Sequence, residues 1–225
     1  MAESRNFLRA AVGIHPNYAS DFRSTAIDQL RKLASNKAVV AIGEIGLDFY
    51  RDFTPAAKQI EAFEAQLSLA AELGMPVTVH NRQADGEVMA RLESHSQAAA
   101  GKLTGRPAGV LHCFSGDREL ASRALDAGYL VSLAGNLTYK SAGNLRAVAR
   151  WLPEGAILIE TDAPYLAPVP FRGKRNESKH LVETFGVLTE IRGATRAPLA
   201  RQLRSNCSRV FGWPVREDQN AEIEL

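Results

Sequence analysis

The sequence predicts an α/β fold built as a (β/α)8 barrel of the TIM type, of which six β/α units are recognisable. Three observations predict it. Short apolar runs alternate with helical patterns along the chain. The runs are rich in Val, Ile and Leu without strict alternation, as in strands buried on both faces of a parallel sheet. A His or a carboxylate stands at the end of one run after another.

The strand runs are residues 8–14, 39–43, 76–80, 109–113, 129–133 and 156–160. The first helix falls over 24–33, with Ile27, Leu30 and Leu33 at helical spacing. The second, over 58–73, carries Ile60, Phe63, Leu67, Ala70 and Ala71 and is stopped by Gly74 and Pro76. Helices follow over 87–94 and 118–127, the latter opened by the capping region Ser115-Gly116-Asp117 and closed by Gly128. Helical patterns over 144–152, 177–192 and 198–211 complete the series. This β-α-β order calls for right-handed crossovers. One domain over 1–214, an incomplete barrel, is expected, with a polar tail at 215–225.

Six units are compatible with an open doubly wound sheet, whereas a closed barrel needs eight units and typically about 250 residues. Pattern alone leaves both open. Polar residues at nearly every strand end favour the barrel, because an open sheet concentrates its site at a single crevice.

With 225 residues, 45% apolar, 23% charged and a formal net charge of +2, the composition is that of an ordinary globular chain. No basic tract marks a general polyanion binder, so any contact with nucleic acid is local to a site. Two cysteines, Cys113 and Cys207, are no disulfide framework, and a reducing cytoplasm is the expected compartment. No run approaches the roughly 20 apolar residues of a membrane helix. The N-terminus lacks the pattern of a signal peptide, and nothing points to a protein partner.

The candidate chemistry lies at the strand ends. Glu44, between Gly43 and Gly46, can bridge two cations through its two oxygens. His80 and His112 are natural ligands for transition metals. Asp162 can ligate a metal or take a proton from an attacking water. Glu160, two residues earlier, points the same way and reads as a supporting partner. Cys113 reads as a small buried residue rather than a thiolate ligand. His15 either faces the same site or serves a turn. Arg82 and the stretch Arg172 to Asn176, with Arg175 between them, offer forks for phosphate. His95 and His180 follow no strand and are expected at the surface.

In combination, VGIHP at 12–16, GEIGLDFY at 43–50, VTVHNR at 77–82, LHCFSG at 111–116, ETDAPYL at 160–166 and RGKRNE at 172–177 resemble the TatD-type metal-dependent hydrolases, many of them known as deoxyribonucleases. The resemblance implies a barrel of the metal-dependent hydrolase superfamily. It also implies up to two divalent ions (zinc, magnesium or manganese) and hydrolysis of phosphodiester bonds, typically in DNA. It makes Glu44 the shared ligand, places His80 and His112 on one metal and Asp162 on the other, and makes Asp162 and Glu44 the catalytic pair. It places His15, Arg82, Arg172, Arg175 and Asn176 near the substrate phosphate.

The chain departs from the family pattern in two places. A leading His-x-His strand and the unit after it, about 60 residues, are missing from the sequence before GIHP. This leads to the expectation of a natural start further upstream, two exposed strand edges and reduced hydrolytic activity. Ser178 stands where the family often has Pro. The competing readings are a non-enzymatic metal- or partner-binding remnant and a hydrolase of small amides or esters.

Overall fold

The computed structural model describes residues 7–213, so the polar tail expected at 215–225 lies outside the described residues. Six parallel strands form one sheet in chain order: β1 (Ala10–Val12), β2 (Val39–Asp48), β3 (Val77–Arg82), β4 (Gly109–Leu111), β5 (Tyr129–Leu133) and β6 (Ile157–Ile159). The helices are α1 (Thr25–Ala34), α2 (Ala56–Leu73), α3 (Asp85–Ala99), α4 (Arg118–Asp126), α5 (Gly143–Trp151), α6 (Leu181–Arg192) and α7 (Arg196–Phe211). Every expected strand and helix is present. A 3₁₀ turn at Pro16–Asp21 that the apolar pattern does not announce follows β1. Among the described residues β1 and β6 are the sheet edges and do not pair with each other.

The helix ends follow local chemistry. Asp117 caps α4 by accepting the Leu120 N–H at 2.9 Å. Gly74 ends α2 in the left-handed conformation at φ 63°, which a residue without Cβ adopts at no steric cost. Period-2 alternation then divides the strands. Val77, Val79, Leu111, Val131, Leu133 and Ile157 face the main core, with Phe63 of α2 and Leu92 of α3 among their partners. Burying Phe63 completely contributes about 2–3 kcal/mol.

The opposite face carries Thr78, Val110, Ser132, Leu158 and Glu160, which line an apolar cavity of about 480 Å³ closed by α6 and α7. Val210 of α7 packs there on Val110, Leu130 and Leu158. Asn206 ties α7 to the entrance of β6 by donating to the Glu154 and Ile157 carbonyls at 2.7 and 2.8 Å.

Three expectations need correction. Glu44 does not close its strand: β2 continues through Asp48 because it pairs onward with β3, Ile45 with Val79 and Asp48 with Arg82. His80 accordingly sits inside β3 rather than at its end. His95 and His180 are not surface residues, being 4% and 6% exposed. His95 lies on the buried face of α3 with Nδ1 2.7 Å from the Tyr129 hydroxyl. His180 stacks on Phe171 with ring centroids 4.1 Å apart.

Candidate metal centre

β2 delivers Glu44 through an irregularity in its pairing. Ile42 pairs with Val77 and Ile45 with Val79, so three residues of β2 span two of β3, and Gly43 and Glu44 fall in the bulge. A bulge bends the strand and re-aims its side chains. Only glycine fits on either side of Glu44: a Cβ at Gly43 would collide with the Thr78 methyl, and one at Gly46 with the His80 carbonyl oxygen. The close approach of β3 that brings His80 to Glu44 therefore depends on both glycines.

Two buried glutamines of α2 fix the segments that carry the site. Gln66 accepts the Ile14 N–H at 2.6 Å and donates to the Ile14 carbonyl at 3.2 Å, anchoring the residue before His15. Gln59 accepts the Asp48 N–H at 2.8 Å and donates to the Asp48 carbonyl at 3.0 Å. These spots are seven residues apart, two helical turns, and face the same way.

The polar side chains converge on Glu44 Oε1. His80 Nδ1 lies 2.8 Å away, His15 Nε2 3.5 Å and His112 Nε2 3.7 Å. Asp162 Oδ1 stands 3.5 Å from His112 Nε2. Separations near 3.5 Å are what ligand atoms adopt around one cation at about 2.0–2.2 Å from each. Behind each of the two strand histidines stands a carboxylate. Asp48 Oδ2 is 3.2 Å from His80 Nε2, and Glu160 Oε1 is 2.7 Å from His112 Nδ1. Metal-binding imidazoles characteristically donate their remote N–H to such a carboxylate, which fixes tautomer and ring orientation. His80 Nδ1 and His112 Nε2 are then the nitrogens left for a cation, both aimed at Glu44. The nitrogen and oxygen donor set fits a divalent cation.

His15 differs. The Asn17 backbone N–H donates to its Nδ1 at 3.1 Å, so the ring hydrogen sits on Nε2. With Nε2–H directed at Glu44, His15 is a donor at the site. His15, Glu44 and His80 do form a compact cluster, but the tautomer favours His80 and His112 as the imidazole ligands.

The electrostatics favour a positive charge here. Burial alone would lower the His112 pKa, but hydrogen bonds to Asp162 and Glu160 and the charges of Glu160 and Glu44 overcome it and push it up to about 11. Burial would raise Glu44, but hydrogen bonds to His15 and His80 and the charges of His112 and His80 hold it well below the usual carboxylate range. Cys113 is no thiolate: burial and the charges of Glu160, Asp162 and Glu44 raise its pKa. Its backbone N–H instead donates to Glu160 at 2.9 Å. Cys113 and Asp162 adopt φ of 47° and 55°, left-handed values that cost a non-glycine residue about 1–2 kcal/mol and occur where function sets the backbone.

The remaining expected residues divide. Arg82 is exposed and lines a polar groove of about 330 Å³ together with His112 and Ser115. Arg172 and Arg175 are exposed on the loop after Asp162, Arg172 with its guanidinium 4.5 Å from the Tyr139 ring centroid. Asn176 is 2% exposed and fully engaged. Its amide donates to the Thr161 and Tyr165 carbonyls at 2.6 and 2.7 Å, and its oxygen accepts the Glu177 N–H at 2.9 Å. It braces the Asp162 loop and has no donor left for a phosphate. Asp48 is the site residue that the strand-end rule misses, because the rule stopped β2 at Gly43. A carboxylate closing the same run five residues later was its signal.

Histidines and carboxylates gathered on one rim of a parallel α/β sheet, with His80 and His112 each backed by a carboxylate, define a metal-dependent hydrolase. A family model described as TatD related DNase matches residues 1–212, and the chain belongs to the TatD family. It is 35% identical over 211 residues to the uncharacterized metal-dependent hydrolase YabD of Bacillus subtilis, covering 94% of this chain and 80% of that protein. It is 39% identical over 213 residues to a protein named 3'-5' ssDNA/RNA exonuclease TatD from Pantoea ananatis, covering 92% and 79%. Among solved structures, the TatD homologue YjjV of Escherichia coli superposes with a TM-score of 0.86 at 32% identity, covering 95% of this chain and 80% of that one. No helix among the described residues is long and apolar enough to cross a membrane.

Proposed function

We propose that this chain is a divalent-metal-dependent phosphodiesterase of DNA, one cytoplasmic hydrolase domain spanning 1–214. One observation carries the reading: two carboxylate-backed imidazoles, His80 and His112, aim at the same Glu44 oxygen, with Asp162 beside them. Glu44, His80 and His112 would hold one cation, and Glu44 and Asp162 would contribute to a second. Zinc, magnesium and manganese all suit these donors. A divalent cation bound there supplies Lewis acidity toward a phosphoryl oxygen. Asp162 Oδ1 orients the attacking water and accepts its proton. His15, whose Nε2–H points at Glu44, orients that carboxylate beside the substrate phosphate. Arg82, Arg172 and Arg175 neutralise flanking phosphates, contacts that carry little base information.

The exposed arginines on the rim favour a phosphodiester over a small amide or ester, and the two carboxylate-backed imidazoles beside Glu44 and Asp162 favour an enzyme over a remnant. The test is hydrolysis of a labelled single-stranded oligonucleotide with added magnesium, manganese or zinc, run beside p-nitrophenyl acetate. Metal-dependent cleavage of the oligonucleotide that EDTA abolishes is expected. Ester hydrolysis with no nuclease activity under any of the three metals would sink the reading.

A further inference from the structure

The loop between β2 and α2 presents aromatic rings where a buried core residue would ordinarily be placed. Phe49, Tyr50 and Phe53 are 36%, 53% and 64% exposed within five residues. Single exposed apolar side chains need no explanation, but a contiguous group marks a binding surface. The loop is built, not slack. Asp48 Oδ1 accepts the Tyr50 and Arg51 N–H groups at 3.1 and 2.9 Å, the Phe49 N–H donates to the Arg82 carbonyl at 2.9 Å, and Gln59 donates to the Thr54 carbonyl at 2.8 Å.

The same Asp48 that stands behind His80 therefore sets the position of Tyr50. Arginines attend the rings: the Arg82 guanidinium is 4.0 Å from the Tyr50 ring centroid, and that of Arg51 is 5.5 Å from Tyr50 and 5.9 Å from Phe53. Arg82 also lines the polar groove that reaches His112. Arg82 thus joins the groove at His112 to the ring of Tyr50.

We propose that Tyr50 and Phe53 form a stacking platform for unpaired bases, with Arg82 and Arg51 neutralising the intervening phosphates. This deepens the nucleic-acid reading above and rests on it. Rings beside guanidinium groups are the combination that single-strand binders use, since every base offers a π-face. A duplex has its bases already stacked and gains only the phosphate contacts, so the platform selects single strands.

The experiment measures fluorescence anisotropy of labelled dT10 and of a ten-unit abasic oligomer of equal charge, with EDTA present to suspend cleavage. The full chain is expected to bind dT10 at least 10-fold more tightly than the abasic strand. Tyr50→Ala and Phe53→Ala should each weaken dT10 binding by about 5- to 100-fold and leave the abasic strand nearly unchanged. Tyr50→Trp should retain the preference. Both side chains are exposed, so the variants are expected to fold, which circular dichroism checks. Equal binding of the two oligomers, or equal losses on both in the alanine variants, overturns the platform alone. Binding of neither oligomer overturns the nucleic-acid reading and the platform with it.

Discussion

His95 and His112 are both enclosed by protein, and burial pushes both toward the neutral ring. The outcomes are opposite. His95, on the buried face of α3, is driven down to about 4 by burial. His112, above β4, is raised to about 11 because hydrogen bonds to Asp162 and Glu160 and the charges of Glu160 and Glu44 outweigh its desolvation. The difference lies in what stands next to the ring. His95 meets a tyrosine hydroxyl, and its Nε2 finds no partner among the described residues. His112 meets three carboxylates. The sheet rim is thus an environment that holds a cation, and the layer between α3 and β5 is one that expels it.

Removing the rim's central carboxylate should have the largest effect. Glu44→Gln keeps the shape but loses the charge that His15, His80 and His112 share. Oligonucleotide hydrolysis is expected to fall by about 1000-fold, the scale of several kcal/mol of lost stabilisation at the metal. A variant retaining a tenth of the activity would remove Glu44 from the centre of the site. The supporting carboxylates come next. Glu160→Gln and Asp48→Asn should each weaken zinc binding, read by isothermal titration calorimetry, by about 10- to 100-fold. Unchanged affinity in both variants would make the rim no different in kind from the surroundings of His95.

The sequence shows the rim more clearly than its supports. Strand order, helix order and the residues Glu44, His80, His112 and Asp162 are legible because local apolar runs place them. Asp48, Gln59 and Gln66 are not, since their roles depend on partners 11 to 52 residues away. The misplaced strand end has the same origin. Gly43 and Gly46 interrupt the apolar run of β2, but they permit the close approach of β3 that extends the strand. His95 was within reach of periodicity. Ending the helix at residue 94 excluded it, whereas the full α3 puts it on the stripe Val88, Leu92, His95 and Ala99.

Asn176 extends the contrast to a second buried polar group in a packing role. Both hydrogens of its amide satisfy carbonyls of the loop that carries Asp162. Asn176→Ala leaves those carbonyls unpaired and should destabilise the protein by about 3 kcal/mol, at roughly 1.5 kcal/mol each. Urea unfolding measures this. Nuclease activity should fall with it, because Asp162 loses its bracing. A variant as stable as the parent but less active would place Asn176 at the substrate instead.

The smallest effect isolates His95 by pH. Its folded pKa lies below the unfolded value of about 6.5, so the unfolded chain takes up the proton first as pH falls. Stability from this group is present above pH 6.5 and is lost toward pH 4. At pH 5 the expected loss is about 2 kcal/mol. His112 runs the other way, since the part of its contribution already lost at pH 7 returns at pH 5, in parent and variant alike. With a folded pKa of about 11, its contribution is fully present below 6.5 and disappears only as pH rises toward 11. Glu44, held below the usual carboxylate range, begins to matter only below about pH 4.5. The change in stability between pH 7 and pH 5, read by urea melts of the metal-free protein, should therefore be about 2 kcal/mol more unfavourable in the parent than in His95→Leu. An equal acid loss in the two proteins would move the proton uptake away from His95 and dissolve the contrast between the expelling layer and the rim.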